Sequence, residues 1–280
     1  MRRVVLLGFV LLVLTTLSPP AHAYGPPGSD GGWDFVVTPY VWLPARSDIT
    51  STVAGKSADL ELTLKELVDM FDVFALSGRF EAWKGRFGFI GDAMWMKVNM
   101  SNKAVPLPGP VLDINIDDVD IQQAVFDIAA AYRVLQRPVR QGRALPALYF
   151  EPFLGARVVY LKQKIDVTIE PQGPILPGRS PTLGDEKTWA ELMIGGRLWM
   201  QVLDELSFAL RGSVSGFGIG EGSDLQWDFL AGADYRPWQR ASFKVGYRVY
   251  QIDYMTGSGT DAFGYDTTQH GPYLGVSVYF

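Results

Sequence analysis

The chain has 280 residues, with 30 acidic against 25 basic side chains, 48% hydrophobic residues and no cysteine. The lack of cysteine excludes disulfide bonds, thiol chemistry and thiolate-bound metal. The acidic balance argues against nucleic acid as a partner. The length suits one barrel or two ordinary domains, so it does not decide the domain count.

Residues 1 to 23 have the features of a secretory signal peptide. Arg2 and Arg3 precede an apolar run at 4 to 14, and Ala21-His22-Ala23 supplies the small residues of a cleavage site. A transmembrane helix is disfavoured, because spanning hydrocarbon takes about 20 residues. The predicted mature chain starts near Tyr24. It keeps 23 basic and 30 acidic residues, a net charge near −7.

The mature chain opens with a lead-in and a first strand. Residues 24 to 32 are rich in glycine and proline, which predicts a flexible periplasmic segment. Residues 33 to 43 (WDFVVTPYVWL) alternate and carry aromatics near both ends, as a membrane strand does. No later stretch has 18 consecutive apolar residues. Any later membrane span is therefore expected to consist of strands.

A hairpin and a helix are predicted next. Residues 46 to 64 favour a hairpin that turns at Ala54-Gly55-Lys56 and carries no aromatic residue. Thr63 and Glu66 form a capping box for a short helix at 64 to 71. The helix has an apolar stripe at Leu64, Leu67, Val68 and Phe71.

Three placements of this helix stay open. It could pack over one barrel mouth, enter the lumen as a plug or gate, or anchor to the membrane surface. The stripe needs an apolar partner, since each large side chain left in water costs about 1.5 to 3 kcal/mol. We expect aromatics near the upper edge, such as Trp42 or Trp95, to provide it.

Eight further segments alternate with period two before the last one. Each has the 9 to 11 residues, or somewhat more, that a tilted spanning strand needs. They are residues 74–83, 87–99, 121–134, 148–160, 189–202, 206–216, 225–235 and 243–254.

The connections between these segments alternate in length. Short turns are predicted at 84–86, 203–205 and 236–241, and longer loops at 101–120, 166–187, 217–224 and 255–267. Short periplasmic turns and long extracellular loops are the outer-membrane pattern. The connection at 136–147 departs from it, because it is long where a short turn is due.

The chain ends in a strongly patterned strand, TTQHGPYLGVSVYF. Apolar residues alternate at Leu274, Val276, Val278 and Phe280. This stretch resembles the closing strand of Gram-negative outer-membrane β-barrel proteins. The resemblance implies an assembly signal at these four residues, read by the barrel-assembly machinery, and outer-membrane lipid as surroundings. Ten strands are predicted, or twelve if the 46–64 hairpin also spans the membrane.

A second resemblance covers residues 66 to 95 and their surroundings. The sequences LKELVDMFD and FEAWKGRFG, followed by Asp92, are similar to a loosely characterised group of bacterial outer-membrane barrel proteins. That resemblance implies the fold and no particular activity.

Charged residues occupy the positions between the apolar ones. In hydrocarbon an Arg or Lys at midplane would cost about 2 to 4 kcal/mol, so these residues are expected to face the lumen. They could pair and seal the barrel, line a narrow polar conduit, or contain an active site. The seven acidic and seven basic candidates are Arg79, Glu81, Asp92, Asp127, Arg133, Glu151, Arg157, Glu191, Arg197, Arg211, Asp228, Asp234, Lys244 and Arg248.

Catalytic and metal-binding motifs are scarce. A serine-type triad would need His270, the one mature histidine, which is more typical of a rim residue. Outer-membrane lipases, acyltransferases and lipid A deacylases are barrels of similar size. The deacylase His-x-Ser pattern is missing here, because Gly271 and Pro272 follow His270. Omptin-like proteases resemble the chain in strand number only.

An acidic stretch, DINIDDVD, could supply oxygen ligands for Ca²⁺ from Asp113, Asp117, Asp118 and Asp120. It lacks the glycine at the turn position and a closing glutamate in register, so a solvated acidic loop is favoured. No phosphate-binding glycine loop or histidine-rich motif is present, and no metal or cofactor is predicted.

The sequence thus predicts an all-β, closed antiparallel transmembrane barrel of about ten strands with one short amphipathic helix, in the outer membrane. The favoured function is a narrow porin-like channel or a passive structural barrel with extracellular loops. The alternative is a lipid- or peptide-modifying enzyme at the outer rim. The solute or ligand is not specified by these patterns.

Overall fold

The computed structural model describes residues 26–28, 31–53, 55–66, 72–108, 112–137, 147–171, 182–220 and 222–280. The predicted signal peptide lies outside these residues, as does the second part of the predicted helix, 67–71. In the described part of the chain, no helix is long and apolar enough to span a membrane.

Thirteen strands are present in these described ranges. In chain order they are β1 (Trp33–Trp42), β2 (Arg46–Val53), β3 (Lys56–Thr63), β4 (Asp72–Lys84), β5 (Phe87–Pro108), β6 (Leu112–Tyr132), β7 (Leu135–Arg137), β8 (Ala147–Pro171), β9 (Thr182–Gln201), β10 (Leu206–Gly216), β11 (Leu225–Trp238), β12 (Ala241–Thr256) and β13 (Phe263–Tyr279).

Ten of these strands close into an antiparallel barrel. Their order around the wall is β1-β4-β5-β6-β8-β9-β10-β11-β12-β13. β13 then returns to β1, with Val36 opposite Tyr279 and Trp42 opposite Tyr273. The prediction of a closed, ten-stranded, all-β barrel is confirmed.

The outer surface of the wall is apolar, because the alternating positions that face outward carry large hydrophobic side chains. Leu76 is 67% exposed, Leu154 56%, Val245 55% and Leu274 53%. A contiguous belt of such residues is unfavourable in water and fits lipid. We call the end with the short turns and the C-terminus the turn end, and the opposite end the hairpin end.

The hairpin β2–β3 extends the wall at the hairpin end and adds no membrane strand. β2 pairs with the first half of β13, from Val53 opposite Phe263 to Arg46 opposite His270. β1 occupies the second half of the same edge. The predicted hairpin is confirmed, and the wall has ten strands rather than twelve.

A glycine is required in β13, at Gly271, where the connection from β1 to β2 passes close to this strand. A Cβ atom at Gly271 would clash with the carbonyl oxygen of Leu43 and the amide nitrogen of Ala45. Ala45 donates its amide to the carbonyl of His270 at 2.7 Å, so the two backbones touch here.

Two predicted loops are wrong. The described residues within 101–120 and 166–187 continue the barrel strands: β5 pairs with β6 out to Pro108 opposite Asp113, and β8 with β9 out to Asp166 opposite Thr182. Asp113 to Asp120 therefore belong to β6 and not to an acidic loop. Outside the belt, ladder hydrogen bonds still satisfy the backbone, while both faces can be polar.

The other long connections differ less from expectation. The described residues at 217–224 form turns, as predicted, and the loop at 255–267 shrinks because β12 reaches Thr256 and β13 begins at Phe263. In the unusual connection at 136–147, β7 pairs with β8 at Gln136 opposite Tyr149. Residues 138–146 lie outside the described part.

The start of the predicted helix is observed at residues 64–66. The carboxylate of Glu66 accepts hydrogen bonds from the Thr63 amide at 2.9 Å and the Thr63 hydroxyl at 2.8 Å. The Thr63 hydroxyl accepts from the Glu66 amide at 3.3 Å. The predicted capping box is confirmed, and three of the four stripe residues lie outside the described part.

Candidate functional site in the barrel interior

The charged side chains predicted to face the lumen are largely withdrawn from solvent. Eleven of the fourteen are at most 8% exposed: Glu81, Asp92, Asp127, Arg133, Glu151, Arg157, Glu191, Arg211, Asp228, Asp234 and Arg248. The side chains of Arg79, Arg197 and Lys244 are 12%, 16% and 27% exposed. Strand register brings most of the fourteen into ion pairs.

A chain of alternating charges crosses the interior near the turn end. Arg133 lies 2.6 Å from Glu151, Glu151 lies 2.7 Å from Arg197, and Arg197 lies 2.8 Å from Glu81. The indole of Trp83, which is fully buried, lies 4.7 Å from the Arg133 guanidinium. Each of the two arginines therefore has a carboxylate partner and the Trp83 ring beside it.

Residues 26–28 of the lead-in are held by hydrogen bonds beside this chain of charges. The Arg133 guanidinium donates to the carbonyl oxygen of Pro27 at 3.2 Å. The Gly28 amide donates to the carboxylate of Asp34 at 2.5 Å. Pro26 and Gly28 are buried, so residues 26–28 cover part of the opening at the turn end.

Three arginine–aspartate pairs occupy the middle of the barrel. Their shortest nitrogen–oxygen distances are 2.6 Å for Arg79–Asp92, 2.7 Å for Arg157–Asp127 and 2.8 Å for Arg248–Asp228. The last two are bidentate, a geometry that gives strong and directional contacts.

Glu191 has a different environment. Its carboxylate accepts hydrogen bonds from Trp189 Nε1 at 3.1 Å, from the Ser215 hydroxyl at 2.6 Å and from the amide and hydroxyl of Ser223. These recorded donors are neutral. Ser223 lies in the connection between β10 and β11, so Glu191 fixes that connection to the interior wall.

The hairpin half of the interior is filled by an aromatic core that the sequence patterns did not predict. The rings of Trp189 and Tyr254 stack at 4.0 Å with an interplanar angle of 8°. We define the aromatic core as the buried set Tyr40, Trp42, Trp189, Tyr250, Tyr254, Phe263, Tyr265 and Tyr273, packed with Ile49, Met94, Val125, Val159, Leu161, Leu230 and Ile252. A signal was available in YQIDY at 250–254, where inward positions carry large apolar groups.

One of the two aromatic residues predicted to contact the helix, Trp42, is already buried in this core. Trp42 is 4% exposed and meets Tyr250 edge-on at 6.0 Å. Trp95 contacts Phe74 at 5.4 Å between β4 and β5. Contacts of Leu67, Val68 and Phe71 lie outside the described residues.

A cavity of about 90 Å³, lined by both charged and apolar side chains, remains in the turn half, and we call it the vestibule. Its cationic lining side chains include Arg79, Arg197, Arg211 and Lys244, and its acidic ones include Glu81, Glu151 and Asp234. It reaches the turn end, where Pro27 and Glu205 contribute to its lining. The Lys244 ammonium is paired with the carboxylate of Asp234 at its side.

His270 belongs to the rim and not to the interior. Its Nδ1 lies 2.5 Å from the hydroxyl of Tyr247, across the β12–β13 pair. Among the described residues, no group of three His, Cys, Asp or Glu side chains is arranged to hold a metal ion. Asp120 lies 3.7 Å from Lys97 on the neighbouring strand.

Comparisons with known proteins agree on the fold. No family model and no curated protein sequence matches the chain. The structure is similar to the outer-membrane protease OmpT of Escherichia coli, with a TM-score of 0.55, 11% identity and coverage of 89% of this chain and 97% of that one. Weaker matches include OprG of Pseudomonas aeruginosa, with a TM-score of 0.31, 11% identity and 91% and 99% coverage.

A further weak match is Ail, the attachment invasion locus protein of Yersinia pestis, with a TM-score of 0.32, 12% identity and coverage of 89% and 99%. At these identities the likeness concerns the fold alone. The chain has the closed antiparallel barrel fold of Gram-negative outer-membrane β-barrel proteins.

Proposed function

We propose that this protein is an outer-membrane barrel with a closed lumen, which holds long β-hairpins outside the cell as a structural scaffold. The observation that carries the proposal is the burial of side chains across the middle and the hairpin half of the barrel interior. Of the two functions favoured by the sequence, this geometry supports the passive barrel over the porin-like channel.

Burial is informative because a side chain facing a water-filled pore would be exposed to that water. Arg157, Tyr250, Leu161 and Ile252 are all 0% exposed. They come from strands on different sides of the barrel, so the space between them is filled. The aromatic core and the arginine pairs beneath it therefore support a lumen that is closed by protein side chains.

Orientation follows from the two ends. Short turns and the C-terminus lie at one end, and β5–β6, β8–β9 and β2–β3 extend beyond the belt at the other. We place the turn end in the periplasm and the hairpin end outside, in keeping with other outer-membrane barrels. The signal-peptide pattern at 1–23 supports export.

Planar-bilayer recording of the refolded protein tests the closed lumen. We expect wild type to show no conductance steps. A variant in which Trp42, Tyr250 and Tyr254 are all replaced by alanine should show small, rare steps that wild type lacks, because it removes three rings from the aromatic core while the arginine–aspartate pairs beneath remain. Leu154→Ala on the lipid face is the control and should remain silent. Regular steps from wild type would contradict the proposal.

A channel gated by the helix makes a different prediction in the same experiment. If the segment at 63–72 closes a pore, its deletion should produce steps that wild type lacks. Under the closed-lumen proposal the deletion stays silent, because the core beneath it is intact.

We also propose that the barrel-assembly machinery reads Leu274, Val276, Val278 and Phe280. Phe280 is 71% exposed, so its side chain contributes little packing. Its backbone exchanges hydrogen bonds of 2.9 and 3.2 Å with Phe35, which help to close the barrel. Phe280→Ala keeps these bonds and removes only the ring.

The test compares assembly in cells with refolding in detergent. Phe280→Ala should lower the amount of heat-modifiable barrel in outer-membrane fractions while refolding normally when purified. Phe280→Tyr serves as the matched aromatic control. Normal membrane levels of Phe280→Ala would contradict the assembly role.

A further inference from the structure

Arg211 is a buried cation without a close carboxylate of its own. Its guanidinium lies 3.5 Å from Asp228 and 3.7 Å from Asp127, whereas each of these aspartates already accepts two short hydrogen bonds from another arginine. The Arg211 Nε is buried and makes no hydrogen bond. The ring of Phe153, 5.4 Å away, is its one recorded aromatic contact.

The missing negative charge lies on the other side of the barrel's middle. Four arginines and three aspartates form the central cluster: Arg79, Arg157, Arg211 and Arg248 with Asp92, Asp127 and Asp228. The acid that would balance them is Glu191, whose recorded hydrogen-bond donors are neutral groups; one of them, the Ser215 hydroxyl, links Glu191 to Arg157 and not to Arg211. The interior is therefore balanced overall but carries a local positive excess at Arg211.

This excess lies against the vestibule, which Arg211 lines. Side-chain exposure falls from 27% at Lys244 through 12% at Arg79 to 5% at Arg211, so Arg211 forms the floor and solvent enters above it. A cavity of about 90 Å³ holds several water molecules or one small oxyanion.

We propose that the vestibule is a binding site for a small oxyanion of the phosphate or carboxylate class, entering from the turn end. Arg211, which lines the cavity, attracts the anion at the floor through its guanidinium, while Arg79 and Lys244 supply positive charge from the sides. An uncompensated buried charge is strongly unfavourable, and an anion at this place removes that penalty. The planar guanidinium suits an oxyanion because it presents several donors in a fixed fork.

The proposal makes an unusual prediction about stability. Removing one partner of a satisfied buried ion pair destabilises a protein. Replacing an underpaired buried cation with an apolar side chain of similar length instead removes the desolvation penalty of that cation. In anion-free buffer, Arg211→Met should therefore be at least as stable as wild type. An Arg211 with a purely structural role would instead make this variant less stable.

The experiment measures thermal unfolding of the refolded barrel in non-ionic detergent. Sodium phosphate, sodium acetate and sodium chloride are compared at equal ionic strength. Wild type should show a saturable rise of the unfolding midpoint with phosphate or acetate beyond that with chloride, and the stronger response identifies the oxyanion class. Arg211→Met should weaken the apparent affinity about tenfold or more, the loss of one charge-assisted hydrogen bond.

Two further variants keep the test decisive. Lys244→Met lies at the solvent-exposed side and should weaken the response by a smaller factor in a normally folded barrel. Arg46→Met, on the exposed β2–β3 hairpin, should leave the response unchanged. The proposal is overturned if wild type shows no saturable oxyanion response, or if Arg211→Met and Lys244→Met both respond like wild type.

Discussion

The two halves of the barrel interior are built by the same ten strands and differ in their contents. In the hairpin half, Trp189 and Tyr254 stack and Tyr250 is 0% exposed. In the turn half, Arg197 and Lys244 keep 16% and 27% of their side chains exposed around the vestibule. Period-two alternation decides which residues point inward, whereas the size and polarity of those residues decide whether the space is closed or wet.

The difference has an energetic consequence. A charge in the closed middle region has only protein groups as partners, since water does not reach it. A charge beside the vestibule can replace a lost partner with water. The same kind of mutation should therefore have unequal effects in the two places, and the following predictions measure that inequality.

The largest effect is expected for Asp127→Ala. It leaves Arg157, which is 0% exposed, without its bidentate partner, and the lost free energy of unfolding should be about 3 to 5 kcal/mol. Urea unfolding in detergent, followed by tryptophan fluorescence and by heat-modified gel mobility, measures it. A loss below about 1 kcal/mol, the range of exposed ion pairs, would mean that water reaches the middle of the barrel.

Leu161→Ala tests the packing of the aromatic core. The side chain is 0% exposed, and truncation should cost about 2 to 5 kcal/mol. Leu154→Ala on the same strand is the matched control, because that side chain is 56% exposed on the outer face. Equal losses from the two variants in the same urea assay would show that the interior is no better packed than the lipid face.

Asp234→Ala should have a much smaller effect than Asp127→Ala. It removes the partner of Lys244 at the wet side of the vestibule, and about 1 kcal/mol is expected. Unfolding at low and high salt checks the reason, since screening should shrink the difference from wild type. A loss as large as that of Asp127→Ala would remove the distinction between the two halves.

The smallest effect concerns the capping box beyond the barrel wall. Hydrogen bonds from Thr63 lower the pKa of Glu66 below its usual range. A lowered pKa means that the cap is complete above the ordinary glutamate value of about 4.3 and is lost as pH falls through the lowered one.

The Thr63 amide shift in an NMR pH titration should report this transition. In Thr63→Val, which lacks the hydroxyl, the midpoint should move back toward the ordinary value. An unchanged midpoint in the variant would show that the hydroxyl does not contribute to the shift.

The wall could be predicted from sequence because lipid imposes a strict rule on it. Every outward position within the belt must be apolar, so each strand shows the same alternation, from Trp33 in β1 to Phe280 after β13. The rule ends where the belt ends. Residues 101–120 and 166–187 were predicted as loops because proline, glycine and aspartate are common there, although the backbone ladder continues through their described parts.

The interior was less predictable because alternation assigns a face and not a partner. Arg211 and Arg248 both occupy inward positions between outward apolar residues, so the sequence does not distinguish them. Strand register gives Arg248 a bidentate aspartate, whereas Arg211 lies 3.5 Å from Asp228 and 3.7 Å from Asp127. Tyr250 and Tyr273 were missed for a related reason. Tyrosine is common on inward and interfacial positions alike, so its place in a core appears only when ten strands are closed.

The close backbone approach at Gly271 has a consequence for how the chain tolerates change. β1 and β2 share one edge of β13 and are separated only by this crossing, so the wall and the β2–β3 hairpin are neighbours on a common strand. The turn at Gly55 is constrained, because its φ is +73° and an added Cβ would clash with the carbonyl oxygen of Gly259. The hairpin therefore accepts changes at exposed positions of β3, such as Asp59 and Glu61, whereas Gly55 and Gly271 admit no side chain without a backbone shift.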